Sequence, residues 1–161
     1  MAKNSKITKQ DVKAAQDDWA KAIVEIGCEY MKGKDFVACA KRHIKNLYGY
    51  GGNGKVLFKP TKCEKVQFRP TIKGAISYFV GDQFAQFGFS EDQGFAIAPY
   101  VAVHFRNAHI IEGSGRAIAM GNYFFTKLDG EFIKVEYTFG YRRRKGKIVI
   151  DLHHSSLPYT H

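Results

Sequence analysis

The first part of the chain carries the apolar periodicity of α-helices. Apolar side chains recur there at three- and four-residue steps, in the order Val12, Ala15, Trp19, Ala22, Ile26 and Tyr30. Thr8 and Asp11 precede this run and have the spacing of a capping box, with aspartate in place of the usual glutamate. We therefore predict a long amphipathic helix over about 10–32. A second helix is predicted after Asp35, and it ends at the glycines that begin with Gly49.

After the glycines the pattern changes to that of β-strands. The runs 56–58 and 66–68 are short, β-prone and followed by prolines, and Thr71 then opens a short helical pattern as its N-cap. The later runs that we predict as strands are 95–97, 101–111, 116–126, 132–141 and 147–156. Helices followed by an antiparallel meander predict an α+β fold, in which a curved sheet wraps the long N-terminal helix. Such a cone has a pocket at its open end.

Length and composition agree with one globular domain. The chain has 161 residues, of which 45% are hydrophobic and 25% charged, so we expect a single domain over 1–161 with its core at about 10–159. No stretch approaches the roughly 18 uninterrupted apolar residues of a membrane span. The polar, basic start has no apolar segment of a secretory signal. Three cysteines without C-x-x-C spacing favour a reducing compartment, and we expect the cytoplasm.

The net charge of +10 raises the possibility of a polyanionic partner. The dense basic cluster, at 142–147, lies between two strand patterns and indicates a hairpin loop. Nucleic-acid-binding domains usually combine such a patch with exposed aromatic residues, whereas the aromatic residues here lie within strand patterns. We therefore expect neither nucleic acid nor a membrane as partner.

The six histidines lack the spacing of a dedicated metal site, which needs three or four ligands. His104 and His109 are five residues apart on a strand pattern and face opposite sides. His43 lies on a helix face, and the sequence shows no Cys/His cluster. The sequence therefore predicts no metal and no other cofactor.

The densest polar cluster ends the last predicted strand. Residues two apart share a face of a strand, which gives one row of Ile148, Ile150, Leu152, His154 and Ser156, and another of Val149, Asp151, His153 and Ser155. The first row is apolar until its last two members, as expected of a strand that lines a core and then reaches a pocket. We therefore favour His154 and Ser156 as pocket residues, and the pair His153 and Ser155 is the alternative.

Two further hydroxyl groups are candidates for the same pocket. Thr61 follows a proline but opens no helix, so its hydroxyl has no predicted capping role. Tyr78 lies about one residue off the apolar stripe of its short helix, so its hydroxyl can point toward the pocket mouth.

Eight collinear motifs resemble those of the iota-class carbonic anhydrases: LYGYG at 47–51, VLFKPTK at 56–62, FRPT at 68–71, GAISYFVG at 74–81, SEDQGFAI at 90–97, AIAMG at 117–121, KVEYTFGY at 134–141 and LHHSSLPY at 152–159. The resemblance runs from about residue 19 to residue 159. That family shares its cone fold with the association domain of calcium/calmodulin-dependent kinase and with nuclear-transport-factor-2-like proteins. The resemblance thus implies a nuclear-transport-factor-2-like cone, with N-terminal helices packed in a curved antiparallel β-sheet.

The resemblance also implies a reaction, the reversible hydration of carbon dioxide to bicarbonate and a proton. It implies catalysis without an obligatory metal, although a metal has been proposed for some members. Carried over by motif, the catalytic residues are Thr61, Tyr78, His154 and Ser156, with His153 and Ser155 as the pair if the other row faces the pocket. Many relatives carry leader peptides or tandem copies, and we expect this single copy without a leader to be a prokaryotic cytoplasmic protein or an excised domain.

A homodimer packed through the sheet is a further implication of the resemblance. We expect strand residues such as Val103, Phe105 and Ile118 to supply the apolar outer face for that contact.

The candidate residues suit metal-free hydration. Hydroxyl groups can hold water and stabilise the developing bicarbonate, and His154 can take a proton and pass it to solvent. Apolar neighbours such as Ile150 and Leu152 give carbon dioxide a dry wall. The alternative function is a non-catalytic module of the same cone that binds a small molecule or mediates oligomerisation. A third possibility is an isomerase or dehydratase, whose pockets usually place a carboxylate opposite a histidine.

Overall fold

The computed structural model describes residues 5–161. Helix α1 (Lys9–Met31) begins after Thr8, whose hydroxyl accepts a hydrogen bond from the Asp11 N–H while the Asp11 carboxylate accepts one from the Thr8 N–H. This is the predicted capping box, and it pairs backbone N–H groups that a helix start otherwise leaves unbonded. The predicted bounds of 10–32 are confirmed to within one residue at each end.

Two shorter helices also begin at the predicted residues. Asp35 caps α2 (Phe36–Leu47), and Thr71 caps α3 (Ile72–Val80), each by accepting a hydrogen bond from the backbone N–H three residues further on. No helix within residues 5–161 is long and apolar enough to cross a membrane.

Residues 5–161 contain seven strands: β1 (Lys6–Ile7), β2 (Leu57–Lys59), β3 (Tyr100–Ile111), β4 (Gly113–Ser114), β5 (Arg116–Lys127), β6 (Phe132–Arg144) and β7 (Lys147–Ser156). Five of them form one sheet in the order β2-β7-β6-β5-β3. Within it β2 is parallel to β7, and all other neighbours are antiparallel. β1 and β4 form a separate pair. The predicted α+β architecture is confirmed, since helices α1 to α3 precede a meander of β3, β5, β6 and β7.

Two of the short runs predicted as strands are not strands. The backbone N–H groups of residues 64–66 donate to the Glu91 carboxylate, and the segment 66–68 joins no sheet. Residues Phe95–Ile97 form one turn of 3₁₀ helix instead. This turn follows Gly94, whose φ of 90° lies in the left-handed region that side chains disfavour.

Strand β7 contains a β-bulge at Asp151. Ile150 pairs with Tyr141 of β6, and Leu152 pairs with the preceding β6 residue, Gly140, so Asp151 is an extra residue on β7. A side chain at Gly140 would clash with the bulge, because its Cβ would lie 2.8 Å from Leu152 Cβ and 2.9 Å from an Asp151 carboxylate oxygen. An extra residue reverses the face that every later side chain of the strand occupies.

The bulge corrects the predicted face of the last strand. Ile150 faces the core as expected, but beyond the bulge His153 and Ser155 continue the inner face, and both are buried. His154 is exposed and Ser156 is half-buried on the outer face, where the Ser156 hydroxyl donates to the Glu136 carboxylate. The preferred pair His154 and Ser156 was therefore assigned to the wrong face, and the alternative pair occupies the inner one.

Trp19 of α1 lies at the centre of the core, inside the curve of the sheet. Its ring contacts six other aromatic rings at centroid distances of 5.5–6.5 Å: Phe79, Phe105, Tyr123, Phe125, Phe139 and His153. The contact with Phe105 contradicts the prediction that Phe105 and Val103 lie on the outer face, because both side chains pack against the core. Ile118 does face outward, since its neighbours on β5, Ala117 and Ala119, are buried.

Candidate active site

A small cavity lies where α1, α3, β2, β5 and β7 meet. Its lining residues are Trp19, Phe58, Pro60, Thr61, Tyr78, Phe79, Phe95, Tyr123, His153 and Ser155. The volume of the cavity is about 10 Å³, which is room for about one water molecule. Aromatic rings and a proline make up most of the wall, and hydroxyl groups and one imidazole make up the polar remainder.

The polar groups of this wall form a continuous hydrogen-bonded chain. Thr61 Oγ1 lies 2.6 Å from Ser155 Oγ, and Ser155 Oγ lies 2.5 Å from the Tyr123 hydroxyl. The Tyr123 hydroxyl is 3.1 Å from His153 Nε2. The hydrogen bonds therefore connect the loop after β2 to β7, then to β5, and then back to β7.

Behind His153 the chain continues into the core. Tyr48, at the end of α2, places its hydroxyl 2.8 Å from His153 Nδ1, and Trp19 Nε1 donates to that hydroxyl at 2.9 Å. Because an indole N–H can only donate, the Tyr48 oxygen accepts from Trp19 and the Tyr48 hydrogen is directed to Nδ1 of the imidazole. The imidazole proton then resides on Nε2, and Nε2 donates to Tyr123.

This polarity extends to the cavity. Tyr123 is buried and accepts from His153, so its own hydrogen is directed to Ser155, because an unpaired buried hydroxyl is costly. Ser155 then donates either to Thr61 or to the Glu136 backbone oxygen, 3.3 Å away. In either arrangement the Thr61 oxygen can accept a further hydrogen bond, either from the nearby Tyr78 hydroxyl or from a molecule in the cavity.

The imidazole of His153 is held between two phenyl rings. Phe58 lies on one side at 4.7 Å, with planes 10° apart, and Phe139 on the other at 4.1 Å, with planes 21° apart. Burial holds the pKa of His153 well below its usual range, and the nearby charge of His154 lowers this pKa further. His153 is therefore neutral near pH 7, and it positions the hydroxyl chain instead of storing a proton.

The burial of His153 makes the stability of the fold depend on pH. Below about pH 6.5 an unfolded histidine binds a proton that buried His153 does not, so the free energy of unfolding falls as pH falls, by up to about 1.4 kcal/mol per pH unit. We expect urea denaturation between pH 7 and 5 to show this slope. His153→Gln should flatten it, because glutamine binds no proton in this pH range. An unaltered slope in His153→Gln contradicts the assignment.

Tyr78 of α3 closes the outer side of the cavity. Its ring stacks on Phe95 at 5.5 Å, and its hydroxyl accepts a hydrogen bond from the backbone N–H of Lys62 at 3.4 Å. Burial raises the pKa of Tyr78 well above its usual value, so the hydroxyl keeps its proton and remains a donor. A larger cavity of about 440 Å³ lies on the other side of Tyr78 and Phe95, which line both cavities, and Lys62 lines the larger one.

A buried ion pair ties together the elements that carry Thr61 and Tyr78. Arg69 donates to both carboxylate oxygens of Asp92, at 2.6 and 2.8 Å, and both side chains are fully buried. The Ser77 hydroxyl, next to Tyr78 on α3, donates to the same carboxylate at 2.6 Å. The loop after β2, helix α3 and the loop at 88–94 are thereby held in one arrangement.

The cavity offers a poor set of metal ligands. Among the described residues that line it, His153 supplies the only nitrogen ligand, and both of its ring nitrogens are already bonded to tyrosines. The lining contains no carboxylate and no thiol, which the usual divalent-metal sites need beside a single histidine. The absence of a carboxylate opposite His153 also weighs against the isomerase or dehydratase hypothesis.

The structure brings together part of the predicted site. Thr61 and Tyr78 line the cavity, whereas His154 and Ser156 lie outside it and His153 and Ser155 take their place. Sequence reasoning missed three polar groups of the hydrogen-bonded chain, which belong to Trp19, Tyr48 and Tyr123. Each is an aromatic residue within an apolar pattern, so the pattern alone gave no sign that its polar atom is used.

Comparison with known proteins shows the family of the chain. A family model for metal-independent carbonic anhydrases matches residues 10–157. The metal-independent carbonic anhydrase of Nostoc sp. (strain PCC 7120 / SAG 25.82 / UTEX 2576) is 42% identical over 160 residues, which cover 97% of this chain and 76% of that protein. These two matches cover nearly the whole chain and both concern the same family.

Solved structures agree with the sequence matches. The crystal structure of an iota-carbonic anhydrase from a cyanobacterium, complexed with bicarbonate, has a TM-score of 0.91 and 38% identity, covering 100% of this chain and 98% of that one. A putative calcium/calmodulin-dependent protein kinase II association domain from Xanthomonas campestris, at 21% identity and a TM-score of 0.56 over 94% of this chain and 89% of that one, shares the fold alone. The chain belongs to the metal-independent carbonic anhydrases of the iota class, which interconvert carbon dioxide and bicarbonate.

Proposed function

We propose that this chain hydrates carbon dioxide in the small cavity, with Thr61, Ser155 and Tyr78 as the groups that touch the reacting molecules. The observation that carries the proposal is the hydrogen-bonded chain that connects Trp19 to Thr61, beside a cavity with room for about one water. His153 and Tyr123 act through Ser155 and are positioning residues.

The Thr61 oxygen orients the attacking water. A water that donates one hydrogen to this oxygen keeps a lone pair directed into the cavity, and it is held without the entropy of a free molecule. Phe95 lines both this cavity and the larger outer one, so its ring supplies an apolar surface for carbon dioxide on the outer side of that water. The water oxygen then forms a bond to carbon while one C=O electron pair moves onto oxygen.

The negative charge that develops on oxygen needs hydrogen-bond donors. The Tyr78 hydroxyl is one, because its raised pKa keeps the proton in place. The backbone N–H of Lys62 lies next to it, and the Lys62 side chain lines the outer cavity. A cation in this outer cavity attracts bicarbonate and favours its entry for the reverse reaction.

The proton released in hydration leaves by the outer cavity. The inner end of the hydrogen-bonded chain is closed, because Trp19 Nε1 has no lone pair to accept a proton. Glu91 is a poor acceptor, since three backbone N–H bonds lower its pKa to about 2. Water in the outer cavity therefore takes the proton to solvent, where buffer removes it. His154 was expected to take this proton, but it lies on the outer face of the sheet.

Replacing Tyr78 by phenylalanine tests the role of its hydroxyl. The phenylalanine ring keeps the stacking on Phe95, so we expect a folded protein whose kcat/KM for carbon dioxide hydration falls by about 10²-fold, the usual cost of one lost transition-state donor. Stopped-flow measurement with a pH indicator follows the released proton. Tyr50→Phe is the control, because the Tyr50 hydroxyl donates to the Arg69 backbone oxygen and does not line the cavity.

The outcomes separate the candidate functions. A fully active Tyr78→Phe variant contradicts the role of that hydroxyl. Wild-type protein without any hydration activity supports the non-catalytic module instead. No contact among the described residues of the cavity favours the non-catalytic function.

We further propose a homodimer that forms through the outer face of the sheet. Met120 and Phe132 are exposed there, and the Phe132 ring lies 5.7 Å from that of Phe124. Exposed apolar side chains on neighbouring strands favour burial against a second copy. Light scattering should give twice the chain mass at micromolar concentration, and Met120→Glu should shift it toward the monomer. A monomeric wild type contradicts the proposal.

The cysteines support a cytoplasmic location, which we also propose. Cys28, Cys39 and Cys63 are all free thiols, as is usual in a reducing compartment. Fractionation of the source cells tests this location, and recovery of the protein outside the cytoplasm contradicts it.

A further inference from the structure

A second group of reactive side chains lies between α1 and α2, outside the reaction cavity. Cys39 and His43 are one turn apart on α2, and both face Glu25 of α1. The potential ligand atoms of the three side chains all lie within 4.8 Å of one another. His43 Nε2 is 2.6 Å from a Glu25 carboxylate oxygen. The spacing along the sequence does not reveal this group, because its third member, Glu25, lies on a different helix.

Two side chains of α1 face two side chains of α2. Glu25 and Glu29 are one turn apart on α1, as Cys39 and His43 are on α2. The helices run antiparallel, since Tyr30 contacts Phe36 close to the connecting turn while Glu25 contacts His43 further along. Glu29 therefore lies beside Cys39, and its charge contributes to the raised pKa of that thiol.

We propose that Glu25, Cys39 and His43 bind a zinc ion, with Glu29 or a water molecule as the fourth ligand. Thiolate, imidazole and carboxylate are the ligands that Zn²⁺ prefers, and zinc sites that keep a water have three protein ligands. Side chains at positions i and i+4 of a helix lie on one face, which suits two ligands of one ion. Arg42 contacts one oxygen of the Glu25 carboxylate, at 3.3 Å, and His43 Nε2 contacts the other, at 2.6 Å, so a metal ion that enters the site takes the place of the Glu25–His43 hydrogen bond.

Binding of the metal requires the release of a proton. Burial is the main cause that raises the pKa of Cys39, to about 11, so the thiol is protonated near pH 7 in the absence of a metal. A bound divalent ion stabilises the thiolate, and the thiol proton is released to solvent. The positive charges of Arg42 and of Lys34, which pairs with Glu29 at 3.7 Å, limit the affinity.

The site has a structural consequence. A bound ion links α1 to α2 and stabilises the packing of these two helices. It touches no group that lines the reaction cavity. Zinc that accompanies the purified protein is thus assigned to this helix pair, and its removal leaves hydration intact.

The test uses cobalt as a spectroscopic substitute for zinc, on full-length protein freed of any affinity tag. Wild type should bind about one Co²⁺ and show the charge-transfer absorption of a Co²⁺–thiolate bond, and Zn²⁺ should displace the cobalt. Cys39→Ser should abolish the absorption, and His43→Ala should weaken binding at least about 10-fold, which corresponds to the loss of one ligand. Cys28→Ser, a half-buried cysteine of α1, is the matched control and should bind like wild type.

Several results overturn the proposal. They are the absence of thiolate absorption in wild type, an absorption that persists in Cys39→Ser, an absorption that disappears in Cys28→Ser, and unchanged affinity in His43→Ala. Circular dichroism of each variant without metal verifies that the helices are intact. Because His43 is on the surface, its replacement keeps the test decisive even if Cys39→Ser fails to fold.

Discussion

Replacing Ser155 by alanine is expected to lower kcat/KM for carbon dioxide hydration by about 10²- to 10³-fold, the range observed when a preorganised hydrogen-bond donor is removed from an active site. Ser155 connects Thr61 to Tyr123, at 2.6 and 2.5 Å, and it is buried in the cavity wall. Its loss frees the Thr61 hydroxyl to rotate. The reacting water is then no longer held by a hydroxyl group of fixed position.

Ser156→Ala is the matched control for this prediction. Ser156 is the next residue on the same strand, but its hydroxyl points outward and donates to Glu136. We expect its replacement to change kcat/KM by less than about twofold, as is usual for a surface substitution away from the chemistry. Stopped-flow hydration assays of both variants decide between the two faces of β7. Strong loss in Ser156→Ala with an active Ser155→Ala contradicts the proposed site.

The largest effect on stability is expected from Asp92→Ala. This change leaves the Arg69 guanidinium buried without its carboxylate partner, and breaking a buried pair from one side typically costs about 3–5 kcal/mol of unfolding free energy. Urea denaturation measures that loss. Because Asp92 also accepts from Ser77, the variant should loosen the loop after β2 and α3 together.

A double variant separates the unpaired charge from the loss of packing. Arg69→Leu combined with Asp92→Leu removes both charges, and replacing a buried ion pair by apolar side chains is often close to neutral. We expect the double variant to recover part of the stability lost in Asp92→Ala. A loss below about 1 kcal/mol in Asp92→Ala would place this pair in the range of exposed salt bridges and contradict its structural role.

Much of the fold could be predicted because local signals agreed with tertiary packing. The apolar stripe around Trp19 and the capping residues Thr8 and Thr71 each marked a helix close to its observed bounds. The run 66–68 was wrongly predicted as a strand. Its side chains are β-prone, but the Glu91 carboxylate from another loop binds the backbone N–H of Val66, and this contact cannot be predicted from the run itself.

The face of the last strand could not be predicted from alternation. A β-bulge depends on pairing between two strands, and Asp151 gives no sign of it within β7 alone. The available signal was on the partner strand, where Gly140 interrupts a pattern of large residues, since glycine inside a strand often marks a bulge or a close approach. Side chains do alternate between the two faces on each side of Asp151. The prediction was wrong because it assumed that the alternation continues unchanged through the bulge.

The candidate site was predictable where a motif marked it. Thr61 and Tyr78 were candidates from their local pattern, the resemblance pointed to the same two residues, and both line the cavity. Tyr48 and Tyr123 were not found, because a tyrosine in an apolar row usually contributes its ring to the core. Their hydroxyl groups acquire a role only when three separate elements meet at His153.

Carbon dioxide hydration by chelator-treated protein tests the central claim most directly. Wild-type protein is dialysed against a strong chelator, its residual metal content is measured, and proton release is followed by stopped flow. The account predicts that most of the hydration activity remains, because the water in the cavity is held by hydroxyl groups and not by a metal ion. Loss of activity after chelation that is restored by adding one particular metal contradicts it.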